Sequence, residues 1–293
     1  MNTDDFTYQG CFIEGRNVTL SPYEIGQYEV TQELFNAVFP DKTTEYAFQG
    51  DNLPAERVSW YHAIAFCNKL SVLQDLEPVY TIEGFTDDAW GTLSYDVIPT
   101  PDVGDGYGIW DNVTCDLAKN GYRLPTEAEW EFAARGGVQN EEAWNYPFPG
   151  FNYSGGVITE NTITVSGLES YANYASDETT TTVGSKLSNT LGLYDMAGNV
   201  WEWCWDKMCE LNAVPTTNPY EPENETSPTT DYSYDDDVVV RGGDFATTVY
   251  NMVVTARSWE DYEYTGVNDY FTNSGSLDEN GYVGFRLCRT ITE

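Results

Sequence analysis

Between Gly192 and Asp206 the chain reads Gly-Leu-Tyr-Asp-Met-Ala-Gly-Asn-Val-Trp-Glu-Trp-Cys-Trp-Asp. Trp201, Trp203 and Trp205 alternate with Glu202 and Cys204, and Asp195 and Asn199 stand just ahead. Such alternation predicts a strand with two unlike faces. No other stretch joins so much aromatic area to carboxylates that need partners, so it is expected to be the centre of the fold. A chain of 293 residues with 41% hydrophobic content needs no disulfide or metal staple, because roughly three quarters of the unfolded surface can be buried at this size. No linker divides the chain, and one domain over residues 1–293 is expected.

The segments around this centre are punctuated unevenly. Residues 7–30 read as strands, at Tyr8–Ile13, Val18–Leu20 and Tyr23–Val30. A helix is expected from the N-cap Thr31 through Leu34, Phe35 and Val38 to near Pro40. A second, capped by Ser59, is expected to reach about Leu73, burying Ala63, Phe66, Cys67 and Leu70 on one face. Short strand-like runs follow at Val79–Ile82, Leu93–Ile98 and Gly108–Trp110. The glycine-rich residues 104–108 lack a following helix or Gly-Lys-Ser/Thr, so they read as a turn and not a phosphate loop. In residues 121–137, Thr126 and Glu129 form a capping box, and Arg135 with Gly136 closes the helix. Glu127, Glu129 and Glu131 there suit the electrostatics of a helix N-terminus better than catalysis. Residues 138–190 read as loops, and the proline-rich residues 208–237 as an exposed loop insertion that packs no core. Val238 restarts a buried strand, and Val283–Cys288 closes the chain.

Charge excludes whole classes of partner. Thirteen Lys plus Arg against 48 Asp plus Glu leave a formal charge of -35, which repels phosphate backbones and anionic membrane surfaces, so nucleic acid is not an expected partner. Cationic partners, bound cations or a merely solvated acidic surface stay open. The cysteines, Cys11, Cys67, Cys115, Cys204, Cys209 and Cys288, show no repeated C-x-x-C spacing. Cys67 and Cys204 lie in apolar runs and are expected to be buried free thiols. His62 is the single histidine; it cannot build a multi-histidine metal centre and is the sole candidate for a Ser-His or Cys-His pair. No run of 18 apolar residues occurs, so no transmembrane segment is expected. The polar, acidic start is not a signal peptide. A cell-surface or exported protein is expected if a leader precedes residue 1, with a cytoplasmic location also open.

Seven runs, read together, carry a resemblance. They are residues 23–31 (Tyr-Glu-Ile-Gly-Gln-Tyr-Glu-Val-Thr), 54–60 (Pro-Ala-Glu-Arg-Val-Ser-Trp), 122–130 (Tyr-Arg-Leu-Pro-Thr-Glu-Ala-Glu-Trp), 192–203, Arg241-Gly-Gly, Ala256-Arg-Ser and Gly284-Phe-Arg-Leu. In this order they resemble the formylglycine-generating-enzyme (sulfatase-modifying factor) family, a variant of the C-type lectin fold. The resemblance implies an α+β fold with many long loops around mixed short strands and a few helices. The family's enzymes oxidise a substrate cysteine with a copper-binding cysteine pair just after the Arg-Gly-Gly strand. No cysteine stands in residues 244–287, so the pair of soft ligands is missing and no copper is expected. The related multi-histidine sulfoxide synthases are ruled out by the single histidine. Catalysis is therefore not expected, with a formylglycine-generating-type cysteine oxidase as the alternative.

A non-enzymatic branch of the family, the variable proteins of diversity-generating retroelements, resembles the chain more fully. In that branch a C-terminal segment is diversified at adenines of Asn codons (AAC), which yields Asn, Tyr, Asp, Ser, Thr, Ala and Phe but not Trp, Met, Glu, Gln or Lys. The resemblance implies a variable ligand-binding region over residues 241–288. Its candidate positions are Asp244, Ala246, Thr247, Thr248, Tyr250, Asn251, Asp261, Tyr262, Tyr264, Asn268, Asp269, Tyr270, Phe271 and Asn273, with Trp259, Met252, Glu260 and Glu263 as fixed scaffold. Tyr supplies rigid contact area and Asn, Ser and Thr adaptable hydrogen bonds, as a binding surface needs. The ligand would be an unknown protein or other molecule; an ordinary polar loop, or an accessory surface protein with a vestigial lectin-like domain, is the competing reading. The resemblance also implies a structural calcium held by the side chains of Asp195 and Glu202 and the carbonyls of Gly198 and Val200. The competing reading for Glu202 is a hydrogen-bonded structural carboxylate.

Overall fold

Local capping starts the helices of the computed structural model, which describes residues 6–99, 108–175, 179–220, 237–261 and 282–291. Thr31 accepts from the Leu34 N–H at the head of α1 (Gln32–Val38), and Ser59 accepts from the His62 N–H at the head of α2 (Trp60–Leu73). α3 (Asp87–Gly91) begins without a side-chain cap and has no clear signal in the sequence. α4 (Glu127–Ala134) carries the expected capping box, complete in both directions. α2 departs from the one-faced helix expected of it, since every residue from Trp60 to Ser71 is buried. It is a core helix surrounded on all sides, so its stripe of apolar positions understates its burial.

The strands are short. In chain order they are β1 (Val18–Thr19), β2 (Tyr23–Ile25), β3 (Tyr80–Thr81), β4 (Thr114–Cys115), β5 (Tyr122–Arg123), β6 (Trp201–Lys207), β7 (Thr216–Thr217), β8 (Asp237–Arg241), β9 (Ser258–Asp261), β10 (Val283–Gly284) and β11 (Cys288–Thr290). They form a four-stranded sheet in the order β10-β6-β8-β9, a three-stranded sheet β2-β11-β5, and the pairs β1-β7 and β3-β4. The result is an α+β architecture of few helices and small sheets. Among the described residues no helix is long and apolar enough to cross a membrane.

β6 is the central strand the tryptophans call for, but both its faces are buried. Trp201, Trp203 and Trp205 enter the main core with Phe35, Phe66 and Phe285, while Cys204 joins a second cluster with Trp130 and Val239. A buried indole usually finds a partner for its N–H, though Trp205 Nε1 has none among the described residues. Trp203 donates to Val58 O at 2.7 Å and Trp60 to Cys204 O at 3.0 Å, which ties α2 to the sheet. Trp60 and Trp205 stack with centroids 5.0 Å apart.

Three expected strands are absent. Phe6–Tyr8, Tyr95–Val97 and Gly108–Asn112 are 3-10 turns. Tyr95 and Trp110 are apolar there because single rings plug the main core, not because a ladder pairs them; β-rich composition reports fit to a buried surface as much as strand formation. Residues 208–220 also differ from the bare loop expected: Met208 and Cys209 are buried, and Thr216–Thr217 pair with Val18–Thr19. Residues 104–107 and 221–236 lie outside the described residues.

Candidate functional site

The turn entering β6 brings Asp195 and Glu202 together with buried Glu29, and a single guanidinium answers them. Glu202 is fully buried, and its carboxylate accepts from Arg286 Nε and Nη2, both at 2.6 Å, and from Trp130 Nε1 at 2.8 Å. Asp195 Oδ2 accepts from the Gly184 N–H at 2.6 Å. Glu29 accepts from Asn199 Nδ2 at 2.6 Å and from the Val200 N–H at 3.2 Å. Burial, then the charges of Asp195 and Glu202, push the Glu29 carboxyl well above its usual range. Burial raises Asp195 as well.

In this arrangement a protein cation, Arg286, shares Glu202 with the calcium that the resemblance implies. An ion at Glu202 would share its carboxylate with a bidentate guanidinium, and such a pair is among the strongest hydrogen-bonded contacts in proteins. Gly198 and Val200 could offer only carbonyls, beside the carboxylates of Asp195 and Glu202. Calcium on Asp195, Gly198, Val200 and Glu202 stays an expectation of the resemblance. Glu202 is a structural carboxylate whose counter-ion is Arg286.

A second ion network joins α4 to the strand that leads into the candidate ligand region. Glu127 accepts from Arg241 Nη1 at 2.8 Å and from Arg257 Nε and Nη2, both at 2.7 Å. Glu131 takes Arg241 Nη2 at 2.9 Å and Arg135 Nε at 2.8 Å, and Glu129 takes Arg123 at 2.6 and 2.7 Å. The three glutamates thus do more than favour a helix terminus: each neutralises a buried arginine. Burial alone would raise Glu127, but Arg257 and Arg241 overcome it and hold its carboxyl down at about 2.

Past Arg241 the chain leaves β8 through Gly242 and Gly243, with φ of 95° and 81°. At Gly243 a Cβ would come within 2.6 Å of Met252 Cγ, so only glycine turns the chain here. Asp244 follows, and it is buried. Its Oδ1 accepts from the N–H groups of Ala246 and Thr247 at 3.0 and 2.9 Å and from the Thr247 hydroxyl at 2.6 Å; its Oδ2 accepts from the Tyr282 N–H at 3.3 Å. Asp244 therefore fastens the start of the 244–282 stretch to its return, and of the described candidates it is the one buried in that role. Ala246, Thr247, Thr248 and Tyr250 are half-buried and Asn251 is exposed. Tyr250 lies 4.5 Å from the Tyr8 ring, and the Tyr8 hydroxyl donates to Asn251 Oδ1 at 2.7 Å. Asp261 ends β9. The other candidates, Tyr262, Tyr264, Asn268, Asp269, Tyr270, Phe271 and Asn273, lie outside the described residues.

The Ser-His possibility closes. Ser59 Oγ is 2.7 Å from His62 Nδ1, but both residues are buried, and burial holds the imidazole down at about 3, neutral at any physiological pH. All six thiols are free, five of them buried. Sequence reasoning passed over Glu29, Arg241, Arg257 and Arg286. A signal was present for Arg241 and Arg286, which stand in apolar runs (Val238-Val-Val-Arg, Val283-Gly-Phe-Arg), where a charge must find a buried partner.

Comparison with known proteins gives a consistent picture. The family model for the "Sulfatase-modifying factor enzyme 1-like domain" matches residues 7–291. The solved structure of Treponema denticola variable protein 1 superposes with a TM-score of 0.69 at 32% identity, covering 94% of this chain and 86% of that one. A Paenibacillus barcinonensis protein named chaperone protein LppX is 38% identical over 65% of the chain, a match spanning only 64% of that relative's length. A formylglycine-generating enzyme of Thermomonospora curvata is 30% identical over 72% of the chain and 70% of the enzyme.

Proposed function

Because the chain belongs to the sulfatase-modifying factor enzyme 1-like family, we propose that it is a non-enzymatic member that displays a ligand-binding face built on residues 244–282. The carrying observation is the base of that stretch. Asp244 ties it to Tyr282, while Asn251 is exposed and Ala246 and Thr248 are half-buried on a backbone held by the scaffold. A pinned loop can change its outer side chains without unfolding the domain. Two further points favour this reading: the likeness to a treponemal variable protein over 94% of the chain, and a sequence between Arg241 and Gly284 rich in Tyr, Asn, Asp, Ser and Thr. The lack of cysteine from 244 to 287 weighs against a thiol oxidase, because that chemistry needs a thiolate pair to hold soft copper.

The direct test is genetic. A near-copy of the last stretch close to this gene, differing only at adenines of the template strand, is the expected finding; differences scattered over other bases sink the display reading. Copper-dependent turnover of a sulfatase-type cysteine peptide would overturn it in favour of an oxidase. Display also requires a cell-surface location, which protease accessibility on intact cells measures. The scaffold claim has its own check in thermal unfolding. The double variant Thr248→Ala, Asn251→Ala is expected to stay within about 1 kcal/mol of the parent, whereas Asp244→Ala is expected to cost about 2–4 kcal/mol by stranding several buried donors.

A further inference from the structure

Glu56 is fully buried, yet no cation closes on it tightly. Arg57 Nε stands 3.7 Å from Oε2, and Oε2 has no hydrogen-bond partner among the described residues. Oε1 accepts from the N–H groups of Ala47 and Phe48. Those bonds grip the loop that presents Phe48. The Phe48 ring meets Phe245 and Tyr282, each with centroids 5.5 Å away, and the Phe245 and Tyr282 rings are 4.8 Å apart. Phe245 and Tyr282 stand at opposite ends of the 244–282 stretch, so Phe48 completes an aromatic triad across its base. Arg57, with φ of 56°, places its guanidinium 6.0 Å from the Tyr282 ring centre.

We infer that Glu56 is a proton-sensitive clamp that positions the base of the 244–282 stretch through Phe48. Its importance for ligand binding rests on the display reading above; the clamp itself does not. The groups facing Glu56 are the cations of Lys42 and Arg57 and the phenols of Tyr46 and Tyr282, with Asp244 beyond Tyr282. Burial raises the Glu56 carboxyl to about 7, against the two N–H bonds and the two cations, which lower it. Burial also lowers Lys42 to about 8. A carboxylate holds N–H donors more strongly than a neutral acid does, so the grip on Ala47 and Phe48 is firm above this range and slack below it. Global stability runs the other way: a carboxyl raised from 4.5 to about 7 contributes stability fully present below 4.5 and lost as pH rises through 7.

The test needs no ligand. In an NMR titration of the full chain from about pH 5 to about pH 9, the Glu56 carboxyl carbon is expected to titrate near 7. The Phe48 amide and the Phe245 and Tyr282 ring signals are expected to move with the same midpoint. That shared midpoint disappears in Glu56→Gln, persists in the exposed-site control Glu45→Gln, and shifts upward in Lys42→Gln, which removes a facing cation. A Glu56 midpoint near that of an exposed glutamate, or rings that stay still while Glu56 titrates, overturns the clamp. Should Glu56→Gln fail to fold, the shared midpoint in the parent chain still decides. A missing gene near-copy would sink the display reading and leave these shifts intact; immobile rings beside a proven near-copy would sink the clamp alone.

Discussion

At Glu202 and Arg286 two opposite charges are taken fully out of water, and neither can be removed singly at low cost. Glu202→Gln keeps the shape but replaces the bidentate carboxylate by one amide oxygen, leaving the buried guanidinium with that acceptor, the Gly26 and Tyr194 carbonyls at 2.9 Å each, and the charges of Glu29 and Asp195 nearby. Breaking a buried pair this way costs about 3–5 kcal/mol, which urea unfolding would register as a lower midpoint at unchanged slope. A structural calcium at Asp195 and Glu202 predicts a higher midpoint when the ion is added and a lower one on chelation; a midpoint unchanged by both would leave Arg286 as the counter-ion of Glu202. Glu127 supplies a pH prediction. Its folded value of about 2 lies below the ordinary 4.5, so the stability it contributes is complete above 4.5 and lost as pH falls through 2. The shift corresponds to about 3 kcal/mol. Acid unfolding followed by circular dichroism should show that component vanish in Glu127→Gln.

Elements in this chain are bounded by short-range chemistry and placed by long-range packing. The caps of α1, α2 and α4 were legible because a hydroxyl three residues before an N–H is a local arrangement, complete before any tertiary contact forms. Thr126→Ala should cost about 1 kcal/mol, read by thermal melting. β6 was legible as a strand, yet not its burial on both faces, which depends on α2 and α4 arriving from distant sequence. The 3-10 turns at Tyr95–Val97 and Gly108–Asn112 were misread as strands for the same reason: a buried ring looks alike in either element. One glycine marks where elements meet. Gly198 has φ of 79°, and a Cβ there would lie 2.1 Å from Asn173 O, so Gly198→Ala is expected to abolish the soluble folded protein on expression, while Gly156→Ala, which meets nothing within 4 Å, pays only for its positive φ and still folds.

Over the whole molecule, the arginines of a chain carrying -35 are used largely inside. Arg123, Arg241, Arg257 and Arg286 are buried among carboxylates, so they do little to offset the acidic exterior, which repels itself. Raising the salt from about 10 mM to about 150 mM shortens the Debye length from about 30 Å to about 8 Å. The melting temperature is therefore expected to rise with salt, because screening relieves exterior repulsion while the buried pairs are little screened. A fall would mean that solvent-exposed pairs such as Arg289–Glu24 carry more of the stability than the buried ones.

By itself the sequence determined the family, the α+β class, the capped helices and the centrality of Trp201–Trp205, since all of these reside in contiguous residues and their local chemistry. It also marked residues 244–273 as unusual in composition. Only the tertiary structure decided which carboxylate does what. Asp244 was chemically indistinguishable from a display residue until Tyr282 came back beside it. That Glu202 takes the guanidinium of Arg286, 84 residues away, could not be read from its neighbours in sequence. A carboxylate's role is set by the donors around it and by its distance from water, and both are properties of chain segments that meet only when the fold is complete.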